Sequence, residues 1–278
     1  MITFTRIGYL GRLGNQMFQM ASTIGIAKKL GLECYFPLEH FLNGINTDQN
    51  SYDGCKLMDC FDIDRSLLKP INQISKNISN IYGEQCFKFD PQTGFLPDDV
   101  DLYGYFQTEK YFMTNRELIL SIFEFKPPIT EASHSYIETI RNSNKGYKIA
   151  SIHVRRGDYV ALPNHHPVCD SKYYKSAISK IKENGEPIKF IVFSDDPNWC
   201  KSEFQGEDFI ISELGNTYQE LYSMSLCDHH IIANSSFSWW GAWLNRSDKK
   251  IVIAPSRWFG PSLANDTSDI YCENWIKI

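Results

Sequence analysis

No CxxC pair occurs among the eight cysteines of this 278-residue chain, which excludes a zinc ribbon or a thioredoxin-like centre. No stretch approaches the roughly 20 apolar residues that span a bilayer. The opening MITFTRIGYLGRLGNQMFQ also lacks the apolar run of a signal peptide. A surplus of positive charge is missing too: 28 Lys and Arg face 33 Asp and Glu, for a net charge of -5. That removes the global electrostatic case for nucleic-acid binding, although a sugar diphosphate needs only a small basic cleft. There is no GKS or GKT phosphate loop, no GxSxG elbow, and no internal repeat. Gly11 and Gly14 have the wrong spacing for a GxGxxG dinucleotide fingerprint.

What is present suits a globular protein with a real core, at 42% hydrophobic and 22% charged residues. The thiols read as reduced in a cytoplasmic protein, with Cys55 and Cys60 able to pair if the chain were exported. TFTRIGYL reads as a first strand, followed by a loop punctuated by Gly11 and Gly14. A helical period then starts at Met17, with Asn15 as its cap and Gly31 as its stop. LECYF continues as a second strand, residues 40 to 110 are less regular, and YGYF at Tyr103–Phe106 reads as a strand. A helix over Glu109–Phe123 ends before Pro127 and Pro128, and a second helix runs to polar Arg141–Gly146. The domain boundary is expected there, giving units of residues 1–146 and 147–278.

The C-terminal half alternates apolar runs with helical stretches. KIASIHV, IKFIVF, DFIIS, HIIAN and KIVIAP read as strands, and Ser171–Asn184, Thr217–Cys227 and Ser236–Leu244 as helices. That alternation predicts an α/β fold with a parallel sheet covered on both faces, its ligand site beyond the carboxyl ends of the strands.

Three constellations fall at such ends. HVRRGDY places His153, Arg155, Arg156 and Asp158 directly after a strand. Arginine offers a rigid fork of donors that matches phosphate oxygens, and strand alternation sends Arg155 and Arg156 to opposite sides. One can clamp a diphosphate while the other pairs with an acid such as Asp158. NSSFSWWGAWL, Asn234–Leu244, follows another strand, and Ser235 or Ser236 can cap the next helix and help form an anion site. Trp239, Trp240 and Trp243 read as core. FSDD supplies Ser194 and Asp195 where a nucleotide base or ribose is read in an open sheet. At the N-terminus, Arg12, Gly14, Asn15 and Gln16 lie in a loop whose side chains can project into a cleft.

No metal site is expected. Asp195 and Asp196 are adjacent rather than two apart, and the histidines of HHP at residues 165–167 lack the three-ligand spacing of a zinc enzyme. Paired carboxylates for glycoside hydrolysis meet only in space, but hydrolysis of a neutral sugar gives the arginines no diphosphate to clamp.

Together, GRLGNQMFQ, HVRRGDY, FSDD and NSSFSWWGAWL resemble the α-1,2-fucosyltransferase family, glycosyltransferase family 11, in its compact bacterial form. The resemblance runs in order from Gly8 to about Trp258. It implies a GT-B-like α/β fold of two Rossmann-like domains facing a central cleft. GDP-fucose would sit in the C-terminal domain without a metal, and the N-terminal domain would take the acceptor. The His-x-Arg-Arg pattern shared with related protein O- and α-1,6-fucosyltransferases falls on His153, Arg155 and Arg156.

Arg155 is thereby implied as the catalytic, diphosphate-binding arginine, with His153 and Asp158 as candidate bases or orienting groups. Arg156, Ser194, Asp195, Asn234, Ser235, Ser236, Phe237 and Ser238 are implied on the donor side, and Arg12, Gly14, Asn15 and Gln16 as a cleft loop. The implied reaction is inverting transfer of L-fucose to the 2-hydroxyl of a terminal β-galactoside on an oligosaccharide or lipid-linked glycan, as in O-antigen biosynthesis. The implied setting is cytoplasmic, with at most peripheral contact at the inner membrane and no nucleic-acid partner. Another nucleotide-sugar transfer on the same fold and a non-catalytic glycan-binding module are the alternatives.

Overall fold

The computed structural model describes residues 1–42, 54–263 and 266–278, so residues 43–53 of the irregular stretch 40–110 lie outside the described residues. The chain forms two compact units. One comprises Met1–Lys126 with Asp266–Cys272, the other Pro127–Asn265 with Glu273–Ile278.

The first unit contains strands β1 (Ile2–Thr3), β2 (Cys34–Pro37), β3 (Leu68–Lys69), β4 (Asn80–Gly83) and β5 (Val100–Tyr103). Its helices are α1 (Leu13–Leu30), α2 (Leu38–Leu42), α3 (Leu57–Cys60), α4 (Ile71–Ser75) and α5 (Arg116–Ile122). The pairings among these strands are parallel, in the order β3-β2-β1-β5-β4. The strand expected over TFTRIGYL is cut short after Thr3. Thr5 turns to Asp101 instead, its N–H and hydroxyl donating to the two carboxylate oxygens at 2.8 and 2.6 Å.

Helix α1 begins four residues earlier than its apolar period suggests, with Arg12 as N-cap and no side-chain cap. The early turns are hidden from a hydrophobicity pattern because they bury polar groups. Gln16 donates to the Gly54 carbonyl at 2.8 Å and accepts from the Lys56 N–H at 2.8 Å. Gln19 donates to the Leu10 and Gly104 carbonyls at 3.0 and 3.3 Å. These bonds fasten loops onto a helix buried on most of its surface. Gly31 ends the helix in the left-handed region at φ 69°, as expected. The helix expected over Glu109–Phe123 is instead two short 3₁₀ turns followed by α5. YGYF contributes only Tyr103 to a strand.

The second unit holds α6 (Pro127–Ser143), β6 (Lys148–Val154), α7 (Ser171–Lys182), β7 (Ile188–Ser194), α8 (Pro197–Glu203) and β8 (Phe209–Ile211). It continues with α9 (Thr217–Ser225), β9 (His229–Ile231), α10 (Ser236–Leu244), β10 (Val252–Ala254) and β11 (Ile276–Lys277). The sheet is wholly parallel, ordered β11-β10-β9-β6-β7-β8. Ile152, Val154, Phe190, Val192 and Ile231 are fully buried, as befits strands covered on both faces.

The division falls at Lys126/Pro127 rather than at 146/147. The reason is that α6 packs on α9: Ser133 donates to the Gln219 carbonyl at 3.0 Å, and Arg141 pairs with Asp228 at 2.9 Å. Conversely, Asp269 returns to the first unit, pairing with Lys110 at 2.5 Å and accepting from the Phe89 N–H at 3.0 Å.

The two sheets share a topological property. β1 lies between β2 and β5, and β6 lies between β7 and β9, so the chain reverses its winding direction beside each of these central strands. At such a point the loops leaving the carboxyl ends diverge and leave a crevice.

Buried histidine also marks the second core. His230 is fully buried. Asn245 donates to its Nε2 at 2.9 Å, so the proton resides on Nδ1, 2.9 Å from the Ser151 hydroxyl. Burial above all, then Lys250 and His229, pushes this imidazole down to about 3. The unfolded state therefore takes a proton at pH values near 6.5 that the folded state refuses, so stability falls as pH drops from 6.5 towards 3. Between pH 6 and pH 5, the wild type should lose about 1.2 kcal/mol more than His230→Gln, because the unfolded wild type takes up most of one extra proton over that interval. Urea titrations of both proteins at the two pH values check this.

Candidate functional site

The carboxyl ends of β6, β7 and β9 meet at the second unit's switch point, and the sequence-expected groups gather there. β6 ends at Val154, and the backbone leaves through Arg155, Arg156 and Gly157 into a short 3₁₀ turn at Gly157–Ala161. β7 delivers Ser194, followed by Asp195 and Asp196, while Asn234 and Ser235 follow β9.

Arg155 is held between two acids. Its Nη1 lies 2.7 Å from Asp195 Oδ2, and its Nη2 bonds Asp158 Oδ1. Its guanidinium carbon sits 5.2 Å from the centre of the Tyr159 ring, on which His166 stacks at 4.7 Å and 17°. With 18% of its side chain exposed, Arg155 is fixed in direction yet reachable. Arg156 is engaged elsewhere, as strand alternation predicts: its Nε meets Asp196 Oδ2 at 3.0 Å and its guanidinium covers the Trp199 ring at 4.4 Å. Asp195 links the pair, since its Oδ1 accepts the Arg156 backbone N–H at 2.9 Å while Oδ2 holds Arg155. Gly157 permits this close approach, because a Cβ there would stand 2.6 Å from Asp195 Oδ2.

His153 is buried at 6% exposure, with its ring 5.5 Å from Phe237 and its Nδ1 without a hydrogen-bond partner. Burial first, then Arg155, pushes it down to about 3. A neutral imidazole so weakly basic suits a packing or orienting group better than a proton acceptor at neutral pH.

The serine loop divides into two classes. Ser235 caps α10, its hydroxyl accepting the Phe237 N–H at 3.3 Å, and Ser236 and Phe237 lie half-buried at the helix start. Ser238 turns inward to the Ala233 and Ser235 carbonyls at 3.4 and 3.3 Å. Asn234 is likewise an internal fastener. Its amide donates to the Pro167 and Trp258 carbonyls, each at 2.9 Å, and accepts the Cys169 thiol at 3.5 Å. Ser194 accepts the Asp196 N–H at 2.9 Å, which shapes the turn before α8. Asn234 and Ser238 thus both engage partners inside the unit.

In the first unit the expected cleft loop is also largely internal. Gly14 and Gln16 are buried within α1, and Asn15 accepts from Gln107 at 2.7 Å; Arg12 alone of the four is exposed.

One acidic residue had no cue in the sequence. Glu220, in the first turn of α9, is raised to about 7 by burial and, secondarily, by Asp195. Its position reads as an ordinary helix surface in the sequence, yet α9 packs against α6 and α10. Among the described residues no group of three His, Cys, Asp or Glu side chains is disposed to hold a metal ion, and no helix is long and apolar enough to cross a membrane.

Comparison with known proteins speaks to the family and the fold. The family model described as Glycosyl transferase family 11 matches residues 2–278. An alpha-1,2-colitosyltransferase from Escherichia coli is 33% identical, with 96% of each chain covered. The O-antigen biosynthesis glycosyltransferase WbnK, also from Escherichia coli, is 29% identical over 96% of this chain and 98% of its own. The crystal structure of POFUT1 in complex with GDP superposes with a TM-score of 0.54 at 13% identity, over 91% of this chain and 97% of that one. At that identity the likeness speaks to the fold, which is GT-B-like.

Proposed function

Because the chain belongs to glycosyl transferase family 11, we propose that it transfers L-fucose from GDP-fucose to the 2-hydroxyl of a terminal β-galactoside, with inversion. The observation that carries this reading is Arg155, held by two carboxylates just beyond the carboxyl end of β6, at the sheet edge from which the chain also leaves β9 for the Ser235-capped start of α10. A helix start, where backbone N–H groups point outward, and a guanidinium together suit a diphosphate. The α-1,2 linkage has support in the name of the 33% identical relative, and GDP in the POFUT1 complex.

With Asp158 and Asp195 both on one arginine, the ligand-free site is locally acidic. A diphosphate therefore takes the place of Asp158, the more exposed partner at 43%, on the Nη2 edge, while Asp195 keeps the other edge fixed. Charge then grows on the β-phosphate oxygen as the glycosidic bond breaks, and a guanidinium already in position favours the transition state over the ground state. Arg156, tied to Asp196 and Trp199, braces the turn that presents Arg155.

A second donor has a specific observation behind it, since the 33% identical relative is named for colitose. Competition between GDP-fucose and GDP-colitose, which differ in a single ring hydroxyl, separates the two. With a panel of neutral β-galactosides, GDP release is expected from GDP-fucose, and no UDP release from UDP-galactose. Faster release from GDP-colitose would overturn the fucose assignment, and release from neither GDP-sugar would overturn the reading itself.

A further inference from the structure

The loop beyond Arg155 is built to present a histidine. The backbone N–H groups of His165 and His166 both donate to the Leu162 carbonyl, at 2.9 and 2.8 Å. Gly260 and Ser262 donate to the His165 and Asn164 carbonyls at 2.8 and 2.9 Å, and the Asn234 amide to the Pro167 carbonyl at 2.9 Å. Gly260 admits this close packing, because a Cβ there would stand 2.2 Å from the Asn164 carbonyl oxygen. So held, the half-buried His166 ring stacks on Tyr159 at 4.7 Å and lies 5.7 Å from Phe259. The Arg155 guanidinium carbon sits 5.2 Å from the same Tyr159 ring.

The ring has an unused polar atom. Its Nδ1 is buried without a hydrogen-bond partner, a cost that either neutral tautomer leaves standing. Burial first pushes the imidazole below its ordinary range; Asp158 opposes that, while His165 and Arg155 add to it. Tyr159, pushed up to about 12 by burial, stays neutral, and Arg257, which donates to the Phe259 carbonyl, is exposed. In the ligand-free protein the Asp158 charge is answered by Arg155, and His166 is neutral at pH 7.

A diphosphate changes that balance. When it takes the Nη2 edge of Arg155, Asp158 gives up its guanidinium bond and a second anion arrives beside it. Both changes favour a charged imidazole. We propose that donor binding hands Asp158 from Arg155 to His166, which takes up one proton from solvent and becomes the carboxylate's new cation. The proton returns to solvent when the diphosphate leaves. His166 is a positioning residue here, acting through Asp158 rather than on the sugar, and the inference rests on the transfer reading above.

The diphosphate diester of GDP-fucose neither gains nor loses a proton between about pH 5 and pH 8, so its binding without acceptor reports the protein's own protons. Calorimetry in buffers of different ionisation enthalpy should show uptake of roughly half a proton or more near pH 7. A group whose pKa rises on binding adds affinity as pH falls, and each unit gained is a tenfold factor. The Kd for GDP-fucose should therefore drop about tenfold from pH 8 to pH 6.

His166→Phe keeps a ring on Tyr159 and should abolish both effects. Asp158→Asn, at a surface position 43% exposed, should tighten GDP-fucose at pH 8 and flatten the pH dependence. A merely packing role for His166 gives neither result, and Asp158→Asn decides the matter even where His166→Phe lowers the melting temperature. A pH-independent wild-type Kd would overturn the proposal and leave the transfer reading intact. So would uptake that persists in His166→Phe, which would assign the proton to another group such as Glu220. Failure of the wild type to bind GDP-fucose at any pH would overturn the transfer reading and this inference with it.

Discussion

Arg155→Ala is expected to lower kcat by roughly 10²–10³-fold, the range seen when one preorganised donor to a developing oxyanion is removed. Two effects combine. The substitution removes the donor fork that meets the β-phosphate, and it leaves Asp158 and Asp195 facing the crevice without their cation. The second effect opposes any anion, so GDP affinity should fall as well. Arg155→Lys restores charge but not the two-pronged geometry that engages Asp195 and a phosphate together, and should recover only part of kcat. Single-turnover rates with saturating GDP-fucose separate the terms. A variant with near-normal kcat and GDP affinity would reduce Arg155 to a loop-closing ion pair. Because Arg155 is partly exposed and its partners lie on the surface, the folded fraction should change little, which circular dichroism and thermal melts check.

Trp239→Ala is expected to destabilise the protein by about 3–5 kcal/mol, the usual range for truncating a buried aromatic side chain. Trp239 is fully buried at the centre of an aromatic cluster. Its ring lies 5.0 Å from Trp240, 6.1 Å from Trp243 and 5.4 Å from Trp275. Trp275 belongs to the C-terminal residues that return to the second unit, so one side chain ties α10 to that tail. The same helix presents Ser235 and Ser236 at its start, and a loosened α10 blurs the anion site as well as the core. Urea unfolding monitored at two wavelengths gives the loss. A change below about 1 kcal/mol would mean that the cluster repacks without strain, contrary to the density of its ring contacts.

The sequence was most legible where strands are buried on both faces. KIASIHV is β6 to the residue, because a continuous apolar run is the signature of a parallel strand inside two helical layers. Ser236–Leu244 is α10 to the residue, because the serine cap and the tryptophan run mark its start and body. The N-terminal unit was less legible. Its strands are as short as two residues, and α1 opens on glutamines buried to hold loop carbonyls, which a hydrophobic pattern reads as surface.

Within the site, proximity in sequence found His153, Arg155, Arg156 and Asp158, while pairings across the fold stayed hidden. Asp195 reads as a nucleotide contact until its carboxylate is seen divided between Arg155 and the Arg156 backbone. Asn234 reads as a ligand group, and nothing in the sequence shows that its amide also bonds the Pro167 and Trp258 carbonyls. Glu220 has no local signature, since its raised pKa arises from burial and from Asp195 on another element.

The central claim is that the Arg155 crevice holds the diphosphate of a fucosyl donor while a galactoside hydroxyl displaces it. The most direct measurement is NMR of the product formed from GDP-fucose and a β-galactoside, with GDP quantified alongside. The account predicts one GDP per glycoside formed, an α-anomeric fucose on the galactose 2-hydroxyl, and loss of both products in Arg155→Ala. A β-linked product, attachment at another hydroxyl, or undiminished transfer by Arg155→Ala would contradict it.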